Sequence, residues 1–244
     1  MSLKVILFDL DGTLLSMDDR EFEKQYFDGL SKVLVKQKYD CSKLKKSIID
    51  GIIQMLNNKG KTSNENIFWN TLANNFDEKI LEEKPRFDKF YGKKFTEILQ
   101  NTCEPIPVVP AIVSSLISMG YRVVLATNPL FPAIATKARI KFAGLDPEMF
   151  ELISTYEDFY HAKPNPAYYK DLLKKLNAKP KECLMIGNNV EEDIYAAEKV
   201  GIHVFLINNE CLINHQKLDY SKYPQGDIPD IIDHIEELEK KLKR

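Results

Sequence analysis

Val5-Ile6-Leu7-Phe8-Asp9-Leu10-Asp11-Gly12-Thr13-Leu14-Leu15 is the stretch on which the reading of this chain turns. Four consecutive apolar residues run into two aspartates at alternate positions and then into Gly12 and Thr13. A short unbroken apolar run is the pattern of a strand buried on both faces, as in a parallel sheet. Side chains alternate along a strand, so Asp9 and Asp11 would share a face if the chain stayed extended. Gly12 lets the backbone turn without a Cβ penalty. Two carboxylates would then stand together at the carboxyl end of a strand, where open α/β sheets bind ligands.

The rest of the composition sets limits. With 244 residues, 44% of them hydrophobic, the chain can build one large domain or a domain carrying an inserted one. Its 34 basic and 36 acidic residues nearly cancel, so neither a nucleic-acid nor a membrane-surface partner is expected. Cys41, Cys103, Cys183 and Cys211 are scattered without a C-x-x-C pair, the usage of idle thiols in a reducing compartment. The apolar run at the N-terminus is interrupted by Asp9, and no stretch approaches the roughly eighteen apolar residues of a membrane span. The expectation is a cytoplasmic protein.

Outward from the opening strand, apolar spacing becomes helical. Phe22, Tyr26, Leu30 and Val33 recur at helix period, as do Leu44, Ile48, Ile52 and Met55 before a stop at Gly60. A third, shorter helix is expected through Phe68 and Leu72, and a fourth starting at Pro85 and running to Leu99. Residues 16–104 therefore read as an all-helical block, closed by the stiff segment Glu104-Pro105-Ile106-Pro107. Beyond it helices and strands alternate, with strands expected at 121–126, 152–154, 183–186 and 202–207 and a last helix through Ile231, Ile235 and Leu238. This alternation implies an α/β fold with a parallel sheet covered on both faces. The polar stretch 208–226 has no assignable pattern. The expected division is a core of 1–15 with 105–244, and an inserted helical unit of 16–104.

Asp9-Leu10-Asp11-Gly12-Thr13-Leu14 resembles the first motif of the haloacid dehalogenase superfamily of phosphatases at every position. Thr127-Asn128 after the strand at 121–126 is similar to its second motif, and Lys163-Pro164-Asn165-Pro166 to its third, K-P-x-P. Gly187-Asn188-Asn189-Val190-Glu191-Glu192-Asp193 resembles the fourth, G-D-x-x-x-x-D, with Asn188 where an aspartate is usual. Within it, Asn189 and Glu192 have the spacing of a capping box.

The resemblance implies a Rossmann-like doubly wound core with an inserted helical cap, and a Mg²⁺-dependent phosphatase acting on a small phosphorylated metabolite. It assigns Asp9 as nucleophile and Asp11 as acid and then base. Thr127, Asn128 and Lys163 would bind the substrate's phosphate. Asp9, Asp11 through its main-chain carbonyl, Asp193 and, as an amide donor, Asn188 would hold Mg²⁺. An amide brings no charge, so metal binding weaker than usual for the family is expected. Positive charge is needed: a carboxylate about 4 Å from a phosphate charge is repelled by roughly 4 kcal/mol at an effective dielectric of 20. Asp11 argues against dehalogenation. A mutase of the same superfamily, or a phosphate-binding regulatory protein with a decayed site, are the alternative readings. Phe131 and His161 are possible substrate contacts, with loop packing the commoner role for both.

Overall fold

The computed structural model describes residues 2–35 and 39–243, without the side chains of 34 and 35. The chain runs through β1 (Val5–Phe8), β2 (Leu15–Met17), α1 (Asp19–Val35), α2 (Cys41–Leu56), α3 (Asn64–Asn75), α4 (Lys84–Phe90), α5 (Lys93–Thr102) and β3 (Cys103–Pro105). It continues with α6 (Val109–Ser118), β4 (Arg122–Leu125), α7 (Ala133–Phe142), α8 (Pro166–Leu176) and β5 (Cys183–Gly187). A π-helical turn, Val190–Tyr195, leads into α9 (Ala196–Glu198), followed by β6 (His203–Ile207), β7 (Gln225–Gly226) and α10 (Ile231–Leu242).

The opening apolar run forms β1, the second strand of a five-stranded parallel sheet ordered β4-β1-β5-β6-β7. Val5 lies opposite Arg122 on one side and Cys183 on the other. Ile6 and Phe8 point into a core formed with α6, α7 and α10, whereas Val5 and Leu7 point into a second core with α8 and α9. Burial on both faces is why these strands are apolar at consecutive rather than alternate positions. The fold is α/β and doubly wound. β1 pairs on one side with the strand that follows it in the sheet domain and on the other with a later one, so the strand order reverses at its carboxyl end. Ligand crevices open at that position in such sheets.

Helices α1–α5 are inserted between β1 and β4. Both crossings run side by side as an antiparallel ribbon, with Leu15 opposite Pro105 and Met17 opposite Cys103. The segment expected to be a plain linker thus begins as a strand; Pro105 is tolerated because this edge asks no donor of it. The single helix expected from Pro85 is two, α4 and α5, broken at Tyr91-Gly92, where Gly92 leaves the helical region (ψ −122°). The strand expected at 152–154 reduces to one bridge, Ile153 to Leu125. Among the described residues, no helix is long and apolar enough to cross a membrane.

The insertion packs firmly on the sheet domain. At the start of α3, the N–H groups of Asn64 and Glu65 donate to the carbonyls of Phe159 and Tyr156 (both 2.8 Å). These are donors that a helix N-terminus leaves without intrahelical partners. Asn64, fully buried, also donates from its side chain to the carbonyl of Pro129 (3.1 Å).

Candidate active site

The pairing of β1 continues one residue past the strand, where the Asp9 N–H donates to the Ile186 carbonyl (2.9 Å). The chain then turns tightly, Leu14 N–H donating to Leu10 O (2.9 Å), with Gly12 at φ +79°. A Cβ at Gly12 would lie 2.1 Å from Nδ2 of Asn188. Glycine is required there by both backbone angle and proximity. The turn leaves Asp9, Asp11 and Thr13 against the loops that follow β4 and β5.

Lys163 enters from the loop before α8. It is completely buried, its Nζ 3.0 Å from Asp9 Oδ1 and 2.6 Å from Asp193 Oδ1. Burial alone would lower its pKa, but the carboxylates of Asp193 and Asp9 hold it well above the usual lysine range. Burial also raises Asp193, against the pull of Lys163 and with the push of Asp9. Two carboxylates share one ammonium, so the trio carries net negative charge.

Asn128 anchors that lysine's loop. Its Oδ1 accepts the Lys163 N–H (3.1 Å), and its Nδ2 donates to the Lys163 carbonyl (3.3 Å) and to Glu192 Oε2 (2.9 Å). Thr127 lines the pocket beside it, its carbonyl accepting from the Tyr168 hydroxyl (3.2 Å).

Asn189 caps the following turn, accepting from the N–H groups of Glu191 and Glu192 (both 3.1 Å). The returning bond to its own N–H comes from Asp193 Oδ2 (3.0 Å), not from Glu192 as the spacing suggests. The turn is π-helical, and its extra residue moves the reciprocating side chain one position on. Glu192 is thereby released towards Asn128. Gly187 makes room, since a Cβ there would sit 2.2 Å from Asp193 Oδ2.

Asn188 is buried and spans two loops. Its Oδ1 accepts from the Thr13 hydroxyl (3.1 Å) and its Nδ2 donates to the Cys211 carbonyl (2.6 Å). The unassigned stretch after β6 therefore belongs to the site. Ile213 N–H donates to the Asn188 carbonyl (3.0 Å) and the Ile213 carbonyl accepts from the Val190 N–H (2.9 Å), which brings His215 to the pocket rim.

Arg139 is the chief residue that sequence reasoning missed. It projects from α7, is buried to 1% exposure, and forms an ion pair with Asp11 Oδ2. Asp11 Oδ1 is buried without a hydrogen-bond partner among the described residues. Burial and Asp9 push Asp11 up to about 6, with Arg139 pulling it down. The signal was its register: Ala135, Thr136, Arg139 and Ile140 are the buried positions of α7, so a charge stands on the face turned inwards. Asp19, Arg20 and Glu23 of α1 also line the pocket, and burial followed by Glu23 raises Asp19. Of the two possible contacts, Phe131 lines the pocket, while His161 pairs with Asp171 (2.6 Å).

The pocket is about 480 Å³ and its carboxylates outnumber its cations. Its polar lining near Asp9 is oxygen from carboxylate and amide groups, the donor set of a hard divalent cation. The partnerless oxygen of Asp11 and the raised acids mark a site short of positive charge. Among the described residues, no three His, Cys, Asp or Glu side chains converge as a ready-made metal cluster. A cation here would draw on few carboxylates, supplemented by neutral and substrate oxygens.

The sequence profile of the haloacid dehalogenase-like hydrolases matches residues 3–201. The chain belongs to this family. It is similar to the glyceraldehyde 3-phosphate phosphatase of Methanothermobacter thermautotrophicus, 25% identical over 245 residues that span 98% of this chain and all of that one. The pyrophosphatase PpaX of Bacillus cereus is 27% identical over 82% of this chain and 81% of its own. In structure, the chain is similar to a HAD phosphatase from Thermococcus onnurineus, with a TM-score of 0.57 at 19% identity, covering 96% and 98% of the two chains. That likeness is one of fold.

Proposed function

We propose that this haloacid dehalogenase-like hydrolase is a Mg²⁺-dependent phosphatase that acts on a small phosphorylated metabolite through an aspartyl-phosphate on Asp9. The observation that carries the reading is Asp9 at the carboxyl end of β1, where the strand order reverses, faced at 3.0 Å by a fully buried lysine. The relatives act, by their names, on glyceraldehyde 3-phosphate and on pyrophosphate, both small phosphorylated molecules.

In this reading the Asp9 carboxylate attacks phosphorus as the bond to the leaving oxygen breaks. Asp11 gives that oxygen a proton and afterwards takes one from the water that opens the acyl phosphate, which frees phosphate and restores Asp9. The ion pair with Arg139 engages one Asp11 oxygen and leaves Oδ1 to carry the proton. Lys163, the Thr127 hydroxyl and Asn128 hold phosphoryl oxygens, Lys163 offsetting negative charge in a water-poor site. Asp9, the Asp11 carbonyl and Asp193 would hold Mg²⁺, while the Asn188 side chain is engaged with Thr13 and the Cys211 carbonyl. When bound, the ion supplies positive charge against the phosphate dianion and orients it. The helical insertion covers the pocket and restricts it to small substrates.

Turnover of para-nitrophenyl phosphate with and without Mg²⁺ tests this. The expected result is metal-dependent release of phosphate that disappears in Asp9→Asn. Retained activity in that variant would overturn the covalent route, and no turnover with any divalent cation would leave a phosphate-binding protein.

A further inference from the structure

Beside the polar pocket lies a second cavity of about 140 Å³, enclosed between the insertion and the sheet domain. Glu23, Leu130 and Phe131 line both spaces, so the two adjoin along these side chains. Phe131 stands at the junction. The Arg139 guanidinium that pairs with Asp11 lies 4.3 Å from its ring centre, and Tyr26 packs on the same ring at 5.3 Å.

Beyond that junction the walls are aromatic, with Phe68, Phe87, Tyr91 and Tyr156 prominent. The phenol groups bond chiefly within the wall. The hydroxyls of Tyr26 and Tyr91 bond each other (2.8 Å), and that of Tyr156 accepts from Trp69 Nε1 (3.4 Å). The charge on the lining is the Glu23 carboxylate at the exposed mouth. An apolar cavity of about 150 Å³ in another protein stays dry and takes up benzene. This one has the size for a six-membered ring, and its mostly hydrocarbon lining is a poor match for a row of hydroxyls or a second anion.

We propose that this cavity receives the leaving group of the phosphomonoester, and that the preferred leaving group is compact, uncharged and apolar, about the size of a six-membered ring. The inference rests on the phosphatase reading above. Each methylene buried there should raise kcat/KM about fourfold. Each hydroxyl left without a partner should lower it roughly tenfold or more. A second anionic group would meet Glu23 and the apolar wall, which disfavours pyrophosphate and phosphorylated acids.

The test compares kcat/KM for benzyl phosphate, methyl phosphate, glycerol 3-phosphate and pyrophosphate with the whole protein and Mg²⁺. Benzyl phosphate should exceed each of the others by tenfold or more. The benzyl-to-methyl ratio should fall towards one in Ile52→Phe, which fills the cavity from α2. An independent readout comes from Trp69, the chain's one tryptophan, which packs on Phe68 and Phe87 in the cavity wall. Benzyl alcohol should shift its fluorescence saturably in the wild-type protein. Equal or reversed ranking of the esters, or no saturable shift, overturns the leaving-group proposal and leaves the phosphatase reading standing. Failure to hydrolyse any of the four esters overturns both. If Ile52→Phe does not fold, the wild-type ranking and the titration still decide.

Discussion

Lys163 and Asp193 meet at 2.6 Å with neither side chain more than 1% exposed, and the same ammonium reaches Asp9 at 3.0 Å. One cation from the loop before α8 thus holds together the carboxyl end of β1 and the turn after β5. Lys163→Met would leave two carboxylates facing each other away from water. Breaking a buried pair in this way costs about 3–5 kcal/mol. Loss of the charge should also lower turnover by about 10²–10³. Thermal denaturation and para-nitrophenyl phosphate assays check both. Lys163→Met with Asp193→Asn should regain part of the stability and none of the activity. Recovered activity in the double variant would mean that the lysine serves structure alone.

Arg139 acts on the site through Asp11. Its guanidinium is sandwiched between that carboxylate and the Phe131 ring, so it fixes where the Asp11 oxygens stand. Arg139→Gln should lower kcat by about 10²-fold while moving KM far less, because an uncharged neighbour leaves Asp11 free to turn away from the leaving oxygen. Arg139→Lys should restore part of that loss, since the charge returns without the planar fork. A variant that changes KM alone, or a lysine variant no better than glutamine, would show that the pair serves only folding.

Much of this was legible in the chain. Val5 to Phe8 are apolar at every position because β1 is covered on both faces, and Gly12 marks the turn because no Cβ fits beside Asn188. Other features depend on contacts far apart in sequence. The 208–226 stretch shows no periodicity because its order comes from bonds to Asn188 and Val190 rather than from a face of its own. The capping partner of Asn189 was misplaced by one residue because a π-helical turn cannot be told from an α-helical one by spacing. Arg139 was overlooked inside a helix read for its apolar residues, although a cation in their register is itself the clue.

Two histidines away from the site contribute stability that is lost as the solution becomes mildly acidic, opposite in sign to the raised carboxyls of Asp11 and Asp193. Burial lowers the pKa of both His203, at the start of β6, and His234, on α10. His234 packs on the Phe205 ring at 4.6 Å, and His203 Nε2 is buried without a hydrogen-bond partner among the described residues. An unfolded histidine titrates near about 6.5, so below that pH the unfolded chain binds protons that the folded chain refuses. Stability from the neutral rings is complete above that pH and declines as pH falls through the window beneath it. Between pH 7.5 and 5.5 the thermal midpoint of the wild type should fall relative to that of His203→Gln/His234→Gln. An unchanged slope would place the acid sensitivity elsewhere.

Asn188 stands where a carboxylate is usual in the fourth motif, and the sequence alone suggests that Asn188→Asp should tighten Mg²⁺. The geometry argues for the opposite outcome. The amide nitrogen donates to the Cys211 carbonyl at 2.6 Å, and the amide oxygen accepts from Thr13. A carboxylate in that orientation sets oxygen against oxygen at Cys211 and loses the bond that ties the loop after β6 to the site. Such a loss costs about 1–3 kcal/mol. Asn188→Asp should therefore lower the melting temperature and leave the Mg²⁺ affinity of the phosphate-free protein no tighter than before. Calorimetric titration of Mg²⁺ into both proteins, beside thermal denaturation of each, separates the two accounts. Tighter binding in the aspartate variant would return position 188 to the metal; equal or weaker binding with a lowered midpoint would identify the amide as the brace between the loops after β1 and β6.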